Sequence, residues 1–245
     1  MHPTTSVTNG DPHGIRQIGL SLETRSPQEI LRWGIEQFGG GITLACSFGA
    51  EDVALVDMIA RIDPSVPVFY LDTDYLFPET LEVRDRIAER YGISPVAVGT
   101  RVSLEEQAAA HGPDLYARRP DICCQIRKVE PLKQHLLGFG AWITGIRRDQ
   151  SPARSGAGRI EWDRIFNLVK LNPLAPWTSE EVWAYIRAHD VPYNALHDRN
   201  YPSIGCWPCT RPVRPGEDPR AGRWAQFTRK ECGLHSEIEP APAAG

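Results

Sequence analysis

Five of the six cysteines of this chain stand in three tight contexts: Cys123-Cys124, Cys206-Trp-Pro-Cys209 and Glu231-Cys232-Gly-Leu-His235. A thiolate is both a metal ligand and a nucleophile, so spacing and surroundings decide between the two roles. The Cys-x-x-Cys pair suits zinc, an iron–sulfur cluster or a redox disulfide. The vicinal pair is less common. Adjacent thiols reach one centre only where the backbone is bent, whereas structural zinc spaces its ligands by roughly two to four residues. The two pairs together therefore favour a [4Fe–4S] cluster over zinc. Lys128, one helical turn past Cys124, can add positive potential near the sulfurs. Cys232 has no partner at ligand spacing. Arg229 and Lys230 favour its thiolate, Glu231 opposes them, and His235 can act with the cations. Cys232 is expected to be a nucleophile, and Cys46, at the end of an apolar run, to be core or pocket wall.

A second group of residues has anion chemistry. Ser47-Phe48-Gly49-Ala50-Glu51 lies between an apolar run and a helical pattern, where backbone N–H groups and a helix dipole suit an anion. It lacks the Gly-Lys-Ser/Thr of a Walker loop and can equally be a plain strand–helix turn. Leu71-Asp72-Thr73-Asp74 closes the next apolar run, where it can meet a ribose or base, or cap a helix. Thr144-Gly-Ile-Arg147-Arg148-Asp149 closes a third run. Its paired arginines suit a phosphate or sulfate, with surface ion pairs as the alternative. Three polar strand ends together suggest a nucleotide pocket. Residues 205–232 hold six Lys/Arg against three Asp/Glu in a Pro- and Gly-rich stretch. That stretch reads as a solvated loop or as an anion-binding lid near the thiols.

The elements that must position these groups alternate. Ser26-Pro27-Gln28-Glu29 is a capping box that opens a helix with Leu31, Ile35 and Phe38 on its apolar stripe. Ile42 to Cys46 is a strand and Asp52 to Arg61 a helix. Val66 to Leu71 is a strand, followed by a helix from Pro78 to about Tyr91 and a strand from Pro95 to Val98. Leu104 to Ala110 and Ile122 to Leu137 read as helices, and Ala141 to Ile146 as a fourth strand. Ile160 to Val169 reads as a last strand, before a helix capped by Thr178 and Glu181. Strands alternating with helices imply an α/β fold with a parallel sheet. Three regions are expected: a disordered N-terminus over 1–20, an α/β unit over 21–215 with a loop-rich C-terminal part, and a mobile tail over 216–245 carrying Cys232.

Composition sets outer bounds. A chain of 245 residues can fold without disulfides. No secretory signal is legible at the start, and no apolar run approaches the roughly 20 residues of a membrane helix. A cytoplasmic protein with reduced thiols is expected. The net charge of −4 speaks against a nucleic-acid partner. A homo-oligomer is compatible with the chain.

The motifs together resemble the assimilatory adenylyl-sulfate (APS) reductase family, within the wider group that includes 3′-phospho-APS (PAPS) reductases. The matching pieces are Ser47-Phe-Gly-Ala-Glu-Asp52, Leu71-Asp-Thr73 with Phe77-Pro-Glu-Thr80, Cys123-Cys124 with Arg127-Lys128-Val129, and Thr144-Gly-Ile-Arg-Arg-Asp-Gln-Ser151. Tyr201 to Thr210, Arg220-Ala-Gly-Arg223-Trp224 and Lys230 to His235 complete them. The resemblance spans about residues 26 to 236. It implies an adenine nucleotide α-hydrolase-like fold with Ser47–Glu51 as a modified pyrophosphatase loop. It also implies a [4Fe–4S] cluster on Cys123, Cys124, Cys206 and Cys209, and Cys232 as nucleophile. Lys128, Arg220 and Arg223 match a basic set that binds sulfate and phosphate; Arg147 or Arg148 match it less securely. His235 belongs to the terminal motif. Keeping both cysteine pairs points to APS rather than PAPS as substrate. No fused thioredoxin-like domain follows His235, so reduced thioredoxin or glutaredoxin is the expected partner. Where relatives often have Asp-Thr-Gly, this chain has Asp72-Thr73-Asp74, and the extra carboxylate would repel a 3′-phosphate if it lay near the ribose.

Overall fold

A computed structural model describes residues 11–227 and Leu234. Six short strands form one sheet: β1 (Ile42–Ala45), β2 (Val68–Leu71), β3 (Val96–Val98), β4 (Ala141–Ile143), β5 (Ile160–Asp163) and β6 (Leu168–Leu171). Their order is β3-β2-β1-β4-β6-β5. All neighbours are parallel except β5, which runs antiparallel to β6. The central strands are apolar throughout because both faces are covered. Alternation sends Val68, Tyr70, Ala141 and Ile143 into one core. Phe69 and Trp142 point to the other face, against Leu132 and Leu136.

The helices are α1 (Pro12–Ser21), α2 (Pro27–Phe38), α3 (Ala50–Ile62), α4 (Pro78–Tyr91), α5 (Leu104–His111), α6 (Leu115–Arg118), α7 (Pro120–Cys124), α8 (Glu130–Leu136) and α9 (Ser179–Ala188). The expected capping box of α2 is formed: Glu29 N donates to Ser26 Oγ at 3.2 Å, and Ser26 N donates to Glu29 Oε2 at 2.7 Å. Ser103 with Glu106 and Thr178 with Glu181 close the same box on α5 and α9. Each box satisfies amide donors that a helix start leaves orphaned. Among the described residues no helix is long and apolar enough to cross a membrane.

Four expectations change. Residues 12–21 form α1 rather than disordered chain, capped by Asp11 and held by Ile15 and Gly19 against β5. The stretch 160–169 is a hairpin instead of one strand. Asp163 accepts the amides of Ile165 and Phe166, and Asn167 turns the chain at φ 58°. The long helix from Ile122 continues to Leu136 but carries a π-turn (Gln125–Val129) between α7 and α8. The tail expected to be mobile from 216 begins with packed chain: Trp224 is 1% exposed, and its amide donates to the Cys209 carbonyl.

One buried carboxylate ties three helices together. Asp57 on α3 has a fully buried side chain and accepts from Arg61 Nε at 2.9 Å, Tyr91 Oη at 2.8 Å and Tyr185 Oη at 2.6 Å. Burial alone would raise its pKa, but these hydrogen bonds hold it below the usual carboxylate value. A lowered folded pKa gives stability that is full above the unfolded pKa and is lost as pH falls through the folded one. Urea denaturation is expected to show Asp57→Asn less stable by about 2 kcal/mol at pH 7, with the gap closing below about pH 4.

Candidate functional site

The sheet order reverses beside β1: the chain steps to β2 and β3 on one side, then crosses to β4 on the other. Such switch points open a crevice at the strand carboxyl ends. Here a cavity of about 620 Å³ lies over the ends of β1, β2 and β4, within the roughly 300–1,000 Å³ of ligand sites. Ser47, Phe48, Gly49 and Glu51 line it from the β1 loop. Ala50 opens α3 directly behind them. Phe48 holds φ 58° and is buried against Tyr70. Ser47 donates from both N and Oγ to Asp52 Oδ2, each at 2.6 Å. The loop is thereby wrapped around the N-terminus of α3. From the β4 side Gly145 closes in so tightly that a Cβ would overlap the Asp52 carboxylate, which accounts for glycine there.

Both arginines of the β4 loop line the cavity, yet their charges are already engaged. Arg147 is 6% exposed and donates through Nε to Glu51 Oε1 at 2.9 Å, and it also pairs with Asp149. Gln150 bridges the same carboxylate at 3.0 Å. Arg148 donates to the Ala157 carbonyl at 2.8 Å and pairs with Glu23 at 2.6 Å. Both guanidiniums are paired with carboxylates here, and Arg147 fastens the β4 loop to the β1 loop. Arg154, unmarked in the sequence, lines the cavity and donates to Gln150 Oε1 at 2.5 Å.

The two cysteine pairs converge. Cys123 and Cys124 end α7, Cys206 and Cys209 flank a 3₁₀ turn (Trp207–Cys209), and all four line one small pocket. A π-turn follows Cys124 directly. Tyr75, Tyr116, Pro120, Pro208 and Trp224 wall the pocket with apolar surface. Burial and the neighbouring thiols push Cys123 up to about 12 and Cys209 up to about 11. Four thiolates therefore need a strong local cation. Among the described residues no three His, Cys, Asp or Glu side chains close on one point as a single metal ion requires. Four cysteines lining one pocket are the donor set of a tetrahedral zinc or of a [4Fe–4S] cluster alike. Thr73 Oγ1 lies 3.2 Å from Cys206 Sγ, an outer contact of the kind that tunes such ligands.

The cavity and the thiol pocket share a wall: Thr73, Lys128, Cys206, Arg223 and Trp224 line both. Arg223 is 7% exposed, donates to Ser203 Oγ at 3.1 Å and the Ile204 carbonyl at 3.2 Å, and stacks 4.6 Å over Trp224. Among the described residues no carboxylate pairs with it. At Gly205 a Cβ would overlap this guanidinium, so glycine there leaves Arg223 its place. Arg220 lines the cavity as well. Neither Asp72 nor Asp74 lines the cavity. Asp72 accepts the Asp74 amide at 3.1 Å, capping its own turn. Asp74 pairs with buried Arg127 at 2.5 Å. Of the Leu71-Asp72-Thr73-Asp74 stretch, Leu71 and Thr73 line the cavity. Cys46 is 2% exposed and burial raises its thiol pKa well above the ordinary value, in keeping with a wall residue. Cys232 and His235 lie outside the described residues. Leu234, between them, lines the cavity and packs on the apolar cluster of Phe69 and Trp142.

Residues 41–212 match the phosphoadenosine phosphosulfate reductase domain family. This chain belongs to that family. It is 46% identical over 222 residues to the adenosine 5′-phosphosulfate reductase of Halalkalibacterium halodurans, covering 90% of this chain and 96% of the relative. It is 44% identical over 229 residues to the phosphoadenosine 5′-phosphosulfate reductase of Gloeobacter violaceus, covering 92% and 95%. The crystal structure of phosphoadenylyl-sulfate reductase from Candida auris, a phosphate complex, superposes with TM-score 0.74 at 32% identity over 84% of this chain and all of that one. The α/β architecture with its parallel sheet is thus the family's own.

Asp52 gives this site a measurable signature. Burial raises its pKa to about 6, against the hydrogen bonds from Ser47. With the folded pKa above the unfolded one, the native state is favoured at low pH and loses that advantage as pH rises through about 6. Asp52→Asn keeps an acceptor for Ser47 without the charge. In urea titrations it is expected to be more stable than the parent at pH 7, with the difference vanishing near pH 4.

Proposed function

We propose that this chain reduces adenosine 5′-phosphosulfate to sulfite and AMP, in sulfate assimilation and cysteine biosynthesis. The observation that carries the reading is the shared cationic wall. Lys128 and Arg223 stand between a nucleotide-sized cavity and a four-thiol pocket, where the sulfonate end of such a substrate needs positive charge. The Ser47–Glu51 loop at the α3 N-terminus suits the phosphate. The name of the Halalkalibacterium halodurans relative supports the substrate.

In the proposed chemistry the Cys232 thiolate attacks the sulfur of the substrate, and the S–O bond to the phosphate breaks. AMP leaves with the bonding pair and Cys232 becomes an S-sulfonate. Lys128, Arg220 and Arg223 offset the charge that develops on the leaving phosphate. A reduced thioredoxin or glutaredoxin then attacks the Cys232 sulfur through one thiolate, and sulfite departs with the S–S electron pair. The partner's second thiol resolves the mixed disulfide, so its dithiol supplies both electrons. Cys123, Cys124, Cys206 and Cys209 would hold a [4Fe–4S] cluster. When bound, the cluster supplies a fixed electrostatic environment beside the sulfonate end. Lys128 stays oriented between the thiol pocket and the cavity.

Reduction of PAPS is the second reading, favoured by the Gloeobacter violaceus and Candida auris relatives. With Asp74 directed to Arg127, no carboxylate of that loop selects against a 3′-phosphate. The deciding experiment is the intact mass of anaerobically purified protein incubated with APS, and in parallel PAPS, without reductant. A sulfonate adduct from APS mapped to Cys232 is expected; adducts from both substrates would make the enzyme dual. No adduct from either, with iron and fold intact, would sink the reductase reading. Cys232→Ser is expected to lower kcat on the order of 10⁴-fold or more while iron content is unchanged.

A further inference from the structure

Between the vicinal cysteines and Lys128 lies a residue for which the reaction scheme has no use. Arg127 sits in the π-turn and is 1% exposed. Its guanidinium donates to Gln107 Oε1 of α5 at 2.7 Å, to Asp74 Oδ2 at 2.5 Å and to the Val102 carbonyl at 3.3 Å. It also lies 5.5 Å over the Tyr75 ring, which walls the thiol pocket. One side chain thus ties the π-turn to α5, to the β3–α5 loop and to the loop after β2. Arg127 also lines the thiol pocket itself.

Asp74 is the charged partner in this arrangement. It stands at φ 59°, a conformation glycine adopts freely, and its own side chain is 53% exposed. An exposed aspartate facing a buried arginine offsets the charge and fixes the direction in which the guanidinium points. In a turn one residue wider than an α-helical turn, anchoring Arg127 to one side turns Lys128 to the other. Lys128 indeed lines both the thiol pocket and the cavity, whereas Arg127 lines the pocket alone.

We propose that Asp74 is a positioning residue acting through Arg127: it holds and neutralises the guanidinium, so that the π-turn presents Lys128, rather than Arg127, to the substrate cavity beside the four thiols. The inference rests on the reading of those thiols as cluster ligands. Removing the Asp74 charge leaves Arg127 uncompensated next to Cys123, which stabilises the more negative, reduced state of a bound cluster. It also loosens the turn that aims Lys128.

The test uses anaerobically purified holoprotein of the parent, Asp74→Asn, Asp74→Glu and Arg127→Lys. Iron per chain, the midpoint potential of the cluster, and KM and kcat for the sulfonucleotide are measured for each. Asp74→Asn is expected to keep the parent's iron, to move the potential positive and to raise KM about tenfold with kcat changed far less, the size of effect outer partners of metal sites have. Asp74→Glu is expected to restore both values. Arg127→Lys, which keeps the charge but loses the forked contacts to Gln107 and Val102, is expected to raise KM with a smaller change in potential. An Asp74→Asn variant with the parent's potential and KM would overturn the inference. Loss of iron in both Asp74 variants would overturn it too, by making the pair a folding requirement. A parent protein that binds no iron would instead overturn the cluster reading itself.

Discussion

Negative charge placed in a buried space needs fixed cations facing it, and in this molecule two adjoining spaces share such cations. One is the cavity over the ends of β1, β2 and β4, lined by Lys128, Arg220 and Arg223. The other is the pocket of four buried cysteines, where burial and mutual proximity oppose ionisation of the thiols. Both depend on the wall they share, in which Lys128 and Arg223 are held. Much of the local structure follows from keeping those two charges in place. Gly205 makes room for Arg223, Trp224 stacks beneath it, and the π-turn swings Lys128 between the two spaces.

The remaining cations are distributed with a consistent logic. Arg147 and Arg127 are almost fully buried, and each is paired with a carboxylate supplied by another loop. Buried and paired in this way, an arginine acts as a rigid connector with several directed donors. Arg147 fastens the β4 loop to the β1 loop through Glu51, and Arg127 fastens the cysteine-bearing turn to the loop after β2. The division between connector and ligand-facing cation comes from where carboxylates lie in space. It could not be assigned from the run of basic residues along the chain.

The topology explains why these loops meet at all. Because the strand order reverses beside β1, a crevice opens over the ends of β1, β2 and β4, bordered by the loops that follow them. The loop after β2 borders the same crevice, and Thr73 from that loop reaches Cys206, 133 positions away in the chain. The thiol pocket is thus an annex of the sheet's own binding crevice. That location lets one set of side chains serve a nucleotide on one side and the cysteines on the other.

Local chemistry was legible in the sequence wherever it is decided by near neighbours. The capping boxes at Ser26 and Thr178, the apolar strands and the glycine-bearing loop after β1 all rest on contacts within a few residues, which composition and spacing encode. The cysteine pairing could be anticipated because two thiol pairs have few other uses in such a chain. Other features were not legible. A hairpin at 160–171 reads as one strand when its turn is stabilised by a single aspartate. The helix α1 looks like loose N-terminal chain because its stability comes from packing on β5. The partners of Asp74, Arg147 and Gln150 lie 53 to 99 positions away, beyond the reach of any local pattern. The sequence by itself determined which residues are available for redox and anion chemistry, since residue type and short spacing carry that information. Only the tertiary structure decided which cations face the cavity and which are spent on carboxylates, because the balance of charge and desolvation is struck between elements that meet only on folding.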